Sequence, residues 1–139
     1  MRTEEQILKQ SHTIASVGIA PSNKQVANRV SRILQHWGYK IIPVNPDFKK
    51  VIGLRSYPNL TKAPRPMDIV LIFRRSENVL PHVEEAISVG ASVVWMPLSV
   101  KNEVAAARAR AAGLDVVMDR CIECAAVELG LFPRHKLED

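Results

Sequence analysis

The chain has 139 residues, 47% of them apolar and 24% charged, which suits one domain built on one core. Its formal charge of +5 fits a phosphate-rich small molecule; aromatics make up only 5% and are not interleaved with basic residues for base stacking, so no nucleic-acid partner is expected. No apolar run is long enough to span a bilayer, and the opening Met1-Arg2-Thr3-Glu4-Glu5 leads into no secretory signal, so the expectation is a cytoplasmic protein without a membrane partner.

Residues 1–12 read as a polar lead-in with a short helix over Glu4–Gln10. Thr13–Val17 is the first strand, and Gly18 ends it. A helical pattern over Lys24–Trp37 follows, with Val26, Val30, Ile33, Leu34 and Trp37 at a spacing close to 3.6 and Gly38 as its stop. The second strand is Lys40–Val44. Residues 47–67 carry Pro58, Pro64 and Pro66 after Pro46, and read as a meandering connection with one helical turn near Phe48–Val51 in place of a crossover helix. Asp68–Ile72 is the third strand, and Ser76 is the candidate N-cap of a helix over Glu77–Val89 that closes at Gly90. Ser92–Trp95, an alanine-rich helix over Asn102–Ala112, Gly113, a strand over Asp115–Met118 and a helix over Asp119–Leu129 complete the pattern, before a tail over 130–139. Short, continuously apolar strands alternating with helices predict a Rossmann-like α/β fold: a five-stranded parallel sheet covered by helices on both faces. The order expected for those strands is 3-2-1-4-5, with a ligand at the carboxyl ends of strands one and two or one and four.

The first strand-to-helix turn is the candidate phosphate site. A helix N-terminus offers unpaired N–H groups and a positive dipole end. Gly18 permits the turn, Ser22 and Asn23 are N-cap types, and Lys24 adds charge. The turn is not G-x-G-x-x-G, because Ala20 and Asn23 stand in the later glycine places; by itself it is equally a plain strand-to-helix connection. The second strand narrows the ligand. A site for NAD usually ends this strand with a carboxylate on the ribose, whereas here Asn45 and Pro46 are followed by Lys49, Lys50 and Arg55. A basic segment suits a ribose that carries a phosphate, as in NADP or coenzyme A. The third strand ends in Phe73-Arg74-Arg75: an aromatic wall with two guanidinium groups able to pair phosphates, or a core phenylalanine with solvated arginines.

Several of these segments together resemble the small stand-alone coenzyme-A-binding domain proteins, related to the N-terminal domain of the succinyl-CoA synthetase alpha subunit. The resemblance runs from Ile14 to Cys121. It is carried by Gly38-Tyr39-Lys40-Ile41-Ile42-Pro43-Val44-Asn45-Pro46, Tyr57-Pro58, Asp68-Ile69-Val70 with Phe73-Arg74-Arg75, Val94-Trp95, and Ala112-Gly113-Leu114-Asp115-Val116-Val117-Met118-Asp119-Arg120-Cys121. It implies coenzyme A or an acyl-CoA as the ligand, with the pyrophosphate over the turn of Gly18, Ile19, Ala20, Ser22, Asn23 and Lys24. It puts the adenosine end near Val44, Asn45 and Pro46, and the pantetheine along Phe73 and Arg74, with Arg75 beside them. A homodimer or a larger acyl-CoA enzyme is the partner class it implies. This chain departs from the family pattern at Ala20 and Ala27, where serine is common, at Gln25, where arginine is common, at Pro97 and Ser99 in the turn after Val94-Trp95, and at Ala125-Ala126, where a Glu-His pair is common.

Cys121-Ile122-Glu123-Cys124 follows the fifth strand. Its spacing admits a redox dithiol, small apolar filling under the last helix, or a mixed disulfide between Cys121 and the CoA thiol. Zinc would need further ligands, and His12, His36, His82 and His135 are scattered, so no metal site is expected. Ser16, Ser22, Ser76 and Ser99 have no nucleophile-elbow context, and no acid pair or triad is visible. The expected activity is therefore ligand binding without catalysis, as sensor, carrier or subunit of an acyl-CoA system; the alternative is an NADP-binding or Cys-x-x-Cys thiol-redox protein.

Overall fold

The computed structural model describes residues 1–133; His135 and the end of the expected tail lie outside that range. The elements in order are α1 (Glu4–Gln10), β1 (Thr13–Val17), α2 (Val26–His36), β2 (Lys40–Val44), β3 (Lys50–Val51), β4 (Leu54–Arg55), β5 (Ile69–Ile72), α3 (Val79–Ser88), β6 (Val93–Trp95), α4 (Glu103–Ala111), β7 (Asp115–Val117) and α5 (Ile122–Glu128). Five parallel strands form one sheet in the order β2-β1-β5-β6-β7. Side chains alternate across it. Ala15, Val17, Val70, Ile72, Val94 and Val116 enter one core, whereas Ile14, Ile69, Leu71, Val93, Trp95 and Val117 enter the other. Helices α3 and α4 cover the first face, and α1, α2 and α5 cover the second. The fold is the α/β Rossmann-like arrangement expected, with strands buried on both sides.

The strand order corrects one expectation. In the expected order 3-2-1-4-5, the third strand lay outside the second. Instead β5 pairs with β1, Ile14 opposite Ile69 and Val17 opposite Ile72, so β2 is an edge. Pro43 explains why. The Pro43 carbonyl faces outward, accepting from the Tyr57 N–H at 3.0 Å, so its missing donor also falls on the outer side. Proline is tolerated there and would leave a gap in a central ladder. Among the described residues, Tyr57 alone adds to that side, as an isolated parallel bridge to Val44.

The helical turn expected at Phe48–Val51 is instead part of a small hairpin, with Lys50 opposite Arg55 and Val51 opposite Leu54. Its two loop residues, Ile52 and Gly53, have φ of 48° and 74°, the left-handed pair that matches hairpin twist. Ile52 is an unfavourable residue for that conformation and is partly buried against Phe73 and the Ile19, Ala27 and Val51 cluster.

Helix α1 has the expected bounds and a capping box: the Gln6 N–H donates to Thr3 Oγ1, and the Thr3 N–H to Gln6 Oε1. Ser16 and Ser31, both fully buried, share a 2.8 Å hydroxyl hydrogen bond that fixes α2 against the centre of β1. Trp95 donates its indole N–H to the Arg120 carbonyl at 2.8 Å, tying β6 to the segment before α5. The order of the strands places the reversal of chain direction across the sheet between β1 and β5, and their carboxyl ends therefore define the crevice.

Candidate functional site

The crevice is built on a close approach of two backbones. The Phe73 N–H donates to the Val17 carbonyl at 2.9 Å, and the Gly18 N–H to the Val44 carbonyl at 2.8 Å. Gly18 has φ of 93°, and a Cβ there would be driven onto the Phe73 carbonyl oxygen. Only glycine lets β1, β2 and β5 end together in this way.

The turn after Gly18 is held by side chains that local sequence reading did not select. Gln25 reaches back across it: its Nε2 donates to the Gly18 carbonyl at 2.9 Å, and its Oε1 accepts the Ala20 N–H at 2.6 Å. Buried Asn28 donates to the Ala20 carbonyl at 2.7 Å. Helix α2 begins at Val26 with Gln25 as its N-cap, so Ser22 and Asn23 do not cap it as expected. They lie in a preceding turn, closed by the Gln25 N–H on the Ser22 carbonyl at 3.1 Å. Ser22, Asn23 and Lys24 are exposed beside it. Ser76 likewise does not cap α3. A 3-10 turn over Ser76–Asn78 precedes that helix, and the Ser76 hydroxyl accepts the Lys101 N–H at 2.9 Å.

The other site residues fall into two groups. Ile19 is fully buried with Ala27 and Val51, so its side chain supports the turn from beneath. Asn45 is also buried; its Nδ2 donates to the Ile19 carbonyl at 3.0 Å and its Oδ1 accepts the Asp47 N–H at 3.0 Å. It joins the first turn to the second and is a positioning group. Val44, Pro46, Phe73, Arg74 and Arg75 line open space.

That open space is a pair of clefts meeting at Arg74. One, of about 620 Å³, lies above β1 and β2 between Val44, Pro46, Asn59, Arg74 and His82. The other, of about 690 Å³, runs from Ala27 and Phe73 past Arg74 and Arg75 to Leu98 and Cys121. A smaller depression of about 360 Å³ beyond Pro46 carries Lys49 and Arg55. The segment 97–100 contributes a whole wall of the larger cleft, a role its sequence signals only through the departures at Pro97 and Ser99.

His82 Nδ1 is buried without a hydrogen-bond partner and lies 3.7 Å from Glu85 Oε1. Burial, reinforced by the Arg74 guanidinium, holds the imidazole below its ordinary pKa against the opposing pull of Glu85. The smaller cleft is thus lined by the Arg74 guanidinium and the His82 imidazole together with the carboxylates of Glu77 and Glu85. Cys121 and Cys124 form a disulfide, and Cys121 alone of the two lines the larger cleft. Among the described residues, no group of three or more His, Cys, Asp or Glu side chains gathers to hold a metal ion, and no helix is long and apolar enough to cross a membrane.

Comparison with known proteins agrees with this geometry. A family model described as a CoA binding domain matches residues 12–126. The uncharacterized protein YneT of Bacillus subtilis is 36% identical over 121 residues, covering 87% of this chain and 90% of that protein. A hypothetical protein from Pyrococcus horikoshii superposes with a TM-score of 0.88 at 34% identity, over 92% of each chain. An ADP-forming acetate–CoA ligase of Archaeoglobus fulgidus is 28% identical over 72 residues, which are 52% of this chain and 10% of the ligase.

Proposed function

For a chain that belongs to the CoA binding domain family, we propose that the crevice at the ends of β1 and β5 binds coenzyme A or an acyl-CoA, without catalysing a reaction on it. The observation that carries this reading is the position of Arg74 between two clefts of different character. A coenzyme A molecule has a nucleotide, a pyrophosphate and a long thin arm. Arg74 and the exposed turn at Ser22–Lys24 suit the pyrophosphate. The cleft of Val44, Pro46 and Asn59 suits the adenosine, with Lys49 and Arg55 near enough to its rim to meet a phosphorylated ribose. The larger cleft beyond Phe73 is lined mostly by apolar residues and by no carboxylate, which suits pantetheine. Gln25, in place of a common arginine, supports the turn from its own side chain, and Lys24 supplies the charge.

The role is that of a cradle, serving as sensor, carrier or subunit of an acyl-CoA system in the cytoplasm. Titration calorimetry tests it. Coenzyme A is expected to bind measurably and more tightly than NADPH; preference for NADPH, or binding of neither, overturns the reading. Lys24→Glu is expected to weaken CoA binding by about 1.5–3 kcal/mol, the range for a charge-assisted hydrogen bond, and an unchanged affinity removes Lys24 from the site.

A further inference from the structure

We propose that the Cys121–Cys124 disulfide is a thiol-exchange site for the pantetheine thiol of coenzyme A, which it takes up as a mixed disulfide on Cys121. The inference rests on the CoA reading above and adds a covalent step to it.

The two cysteines differ in where they stand. Cys121 lines the larger cleft together with Ile122 and Pro97. Cys124 is exposed and does not line that cleft. Their Cα atoms are 5.2 Å apart and their sulfurs are joined. An arm that starts at Arg74 and runs along Phe73 through this cleft ends its path against Cys121. Among the described residues, the charged side chains lining the cleft are Arg74 and Arg75. No carboxylate lines the cleft to oppose the thiolate form of an incoming thiol, which is the reactive form.

The step balances without an added oxidant. The CoA thiolate attacks Cys121 Sγ and forms a new S–S bond. The Cys121–Cys124 bond breaks, its electron pair leaves on Cys124 sulfur, and that thiolate takes a proton from water. One disulfide is consumed and one is made. In reverse, Cys124 thiolate attacks Cys121 Sγ and expels CoA. A thiol arriving from bulk solvent meets exposed Cys124 first, so attachment to Cys121 identifies entry through the cleft.

The test uses the oxidised full-length protein incubated with coenzyme A, quenched with acid and weighed intact under non-reducing, denaturing conditions. The expected product is heavier by one whole CoA, maps to the Cys121 peptide and is lost on reduction; glutathione at the same concentration is expected to add at least tenfold more slowly. A Cys124→Ser variant treated with CoA disulfide is expected to hold the adduct on Cys121 and to form it at least tenfold faster than with glutathione disulfide, and Cys121→Ser, whose exposed Cys124 thiol remains, to show no such preference. Acetyl-CoA, which has no free thiol, is titrated in parallel against all three proteins by calorimetry. Binding of acetyl-CoA with no covalent product from CoA, an adduct on Cys124 of the parent protein, or equal rates with glutathione overturns the exchange site and leaves CoA binding standing. Absence of both acetyl-CoA binding and adduct overturns both readings.

Discussion

Gly18 carries two constraints, a left-handed φ of 93° and the Phe73 carbonyl against its Hα face. Gly18→Ala is therefore expected to destabilise the fold by at least the backbone strain, about 1–3 kcal/mol, with the urea midpoint as the measure. Because the same substitution pushes β5 away from β1, CoA affinity should fall with it. His82 is sensitive in a different way. Its imidazole resists protonation in the folded chain because it is buried and faces Arg74, while the unfolded chain takes up its proton near the ordinary value of 6.5. Below that pH the unfolded state binds more protons than the native one, so stability is fully present above about 6.5 and declines as the pH falls through and below it. Urea midpoints measured at pH 7 and at about pH 5.5 should drop further in the parent protein than in His82→Gln; an equal drop in both assigns the acid sensitivity elsewhere. Gln25 shows what single-residue reading misses: glutamine has no motif value at this position, yet its amide holds both Gly18 and Ala20 of the turn after β1.

At the level of elements, the five principal strands were legible because each is a short continuous apolar run bounded by a glycine, proline or polar residue, and their ends fell within a residue of expectation. Helix starts were less legible. Those of α2, α3 and α5 lie two or three residues later than the polar signals suggested, because Ser22, Ser76 and Asp119 are used in turns that precede the helices. The hairpin of β3 and β4 left no trace, since each strand is two residues long and its turn begins with a β-branched isoleucine. The strand order was readable in principle: Pro43 marks β2 as an edge, and apolar content outweighed that mark. Of the candidate site, the basic and turn residues proposed to meet the ligand were picked out by residue type alone, whereas the wall at 97–100 required the sheet to bring a distant turn beside Phe73. That wall is held by Asn102. Its Oδ1 accepts the Ala105 N–H at 2.9 Å as the cap of α4, and its Nδ2 donates to the Ser76 carbonyl at 2.9 Å. Asn102→Ala is expected to cost about 1 kcal/mol from the cap and to weaken CoA binding as well. Asn102→Asp keeps the cap acceptor and loses the Ser76 bond, so it should retain most of the stability while reproducing the loss of affinity. Urea unfolding and calorimetry on the two variants separate these effects.

Over the whole molecule, the net charge of +5 and the arginines at the crevice make attraction of a polyanion partly long-range. Raising salt from about 0.1 M to 1 M shortens the screening length from roughly 10 Å to 3 Å, so CoA affinity measured by calorimetry should fall across that range; a salt-independent affinity would place the binding energy in apolar contacts alone. The surface ion pairs contribute elsewhere. Arg120 pairs with Glu4 at 3.2 Å and Glu128 at 2.8 Å, and Arg2 with Asp115 at 2.7 Å, linking both ends of the described chain across one face. Pro43 has a further consequence at this scale. An exposed sheet margin is a template on which other chains can add strands and grow into fibres. Along β2 that template is interrupted, because one donor is missing and Pro43 and Asn45 already exchange hydrogen bonds with Tyr57. At the opposite margin β7 offers only three residues, Asp115–Val117, and Asp115 is held there by Arg2. A protein whose sheet interior is as apolar as an amyloid core is thus closed to propagation at one side and too short to nucleate it at the other.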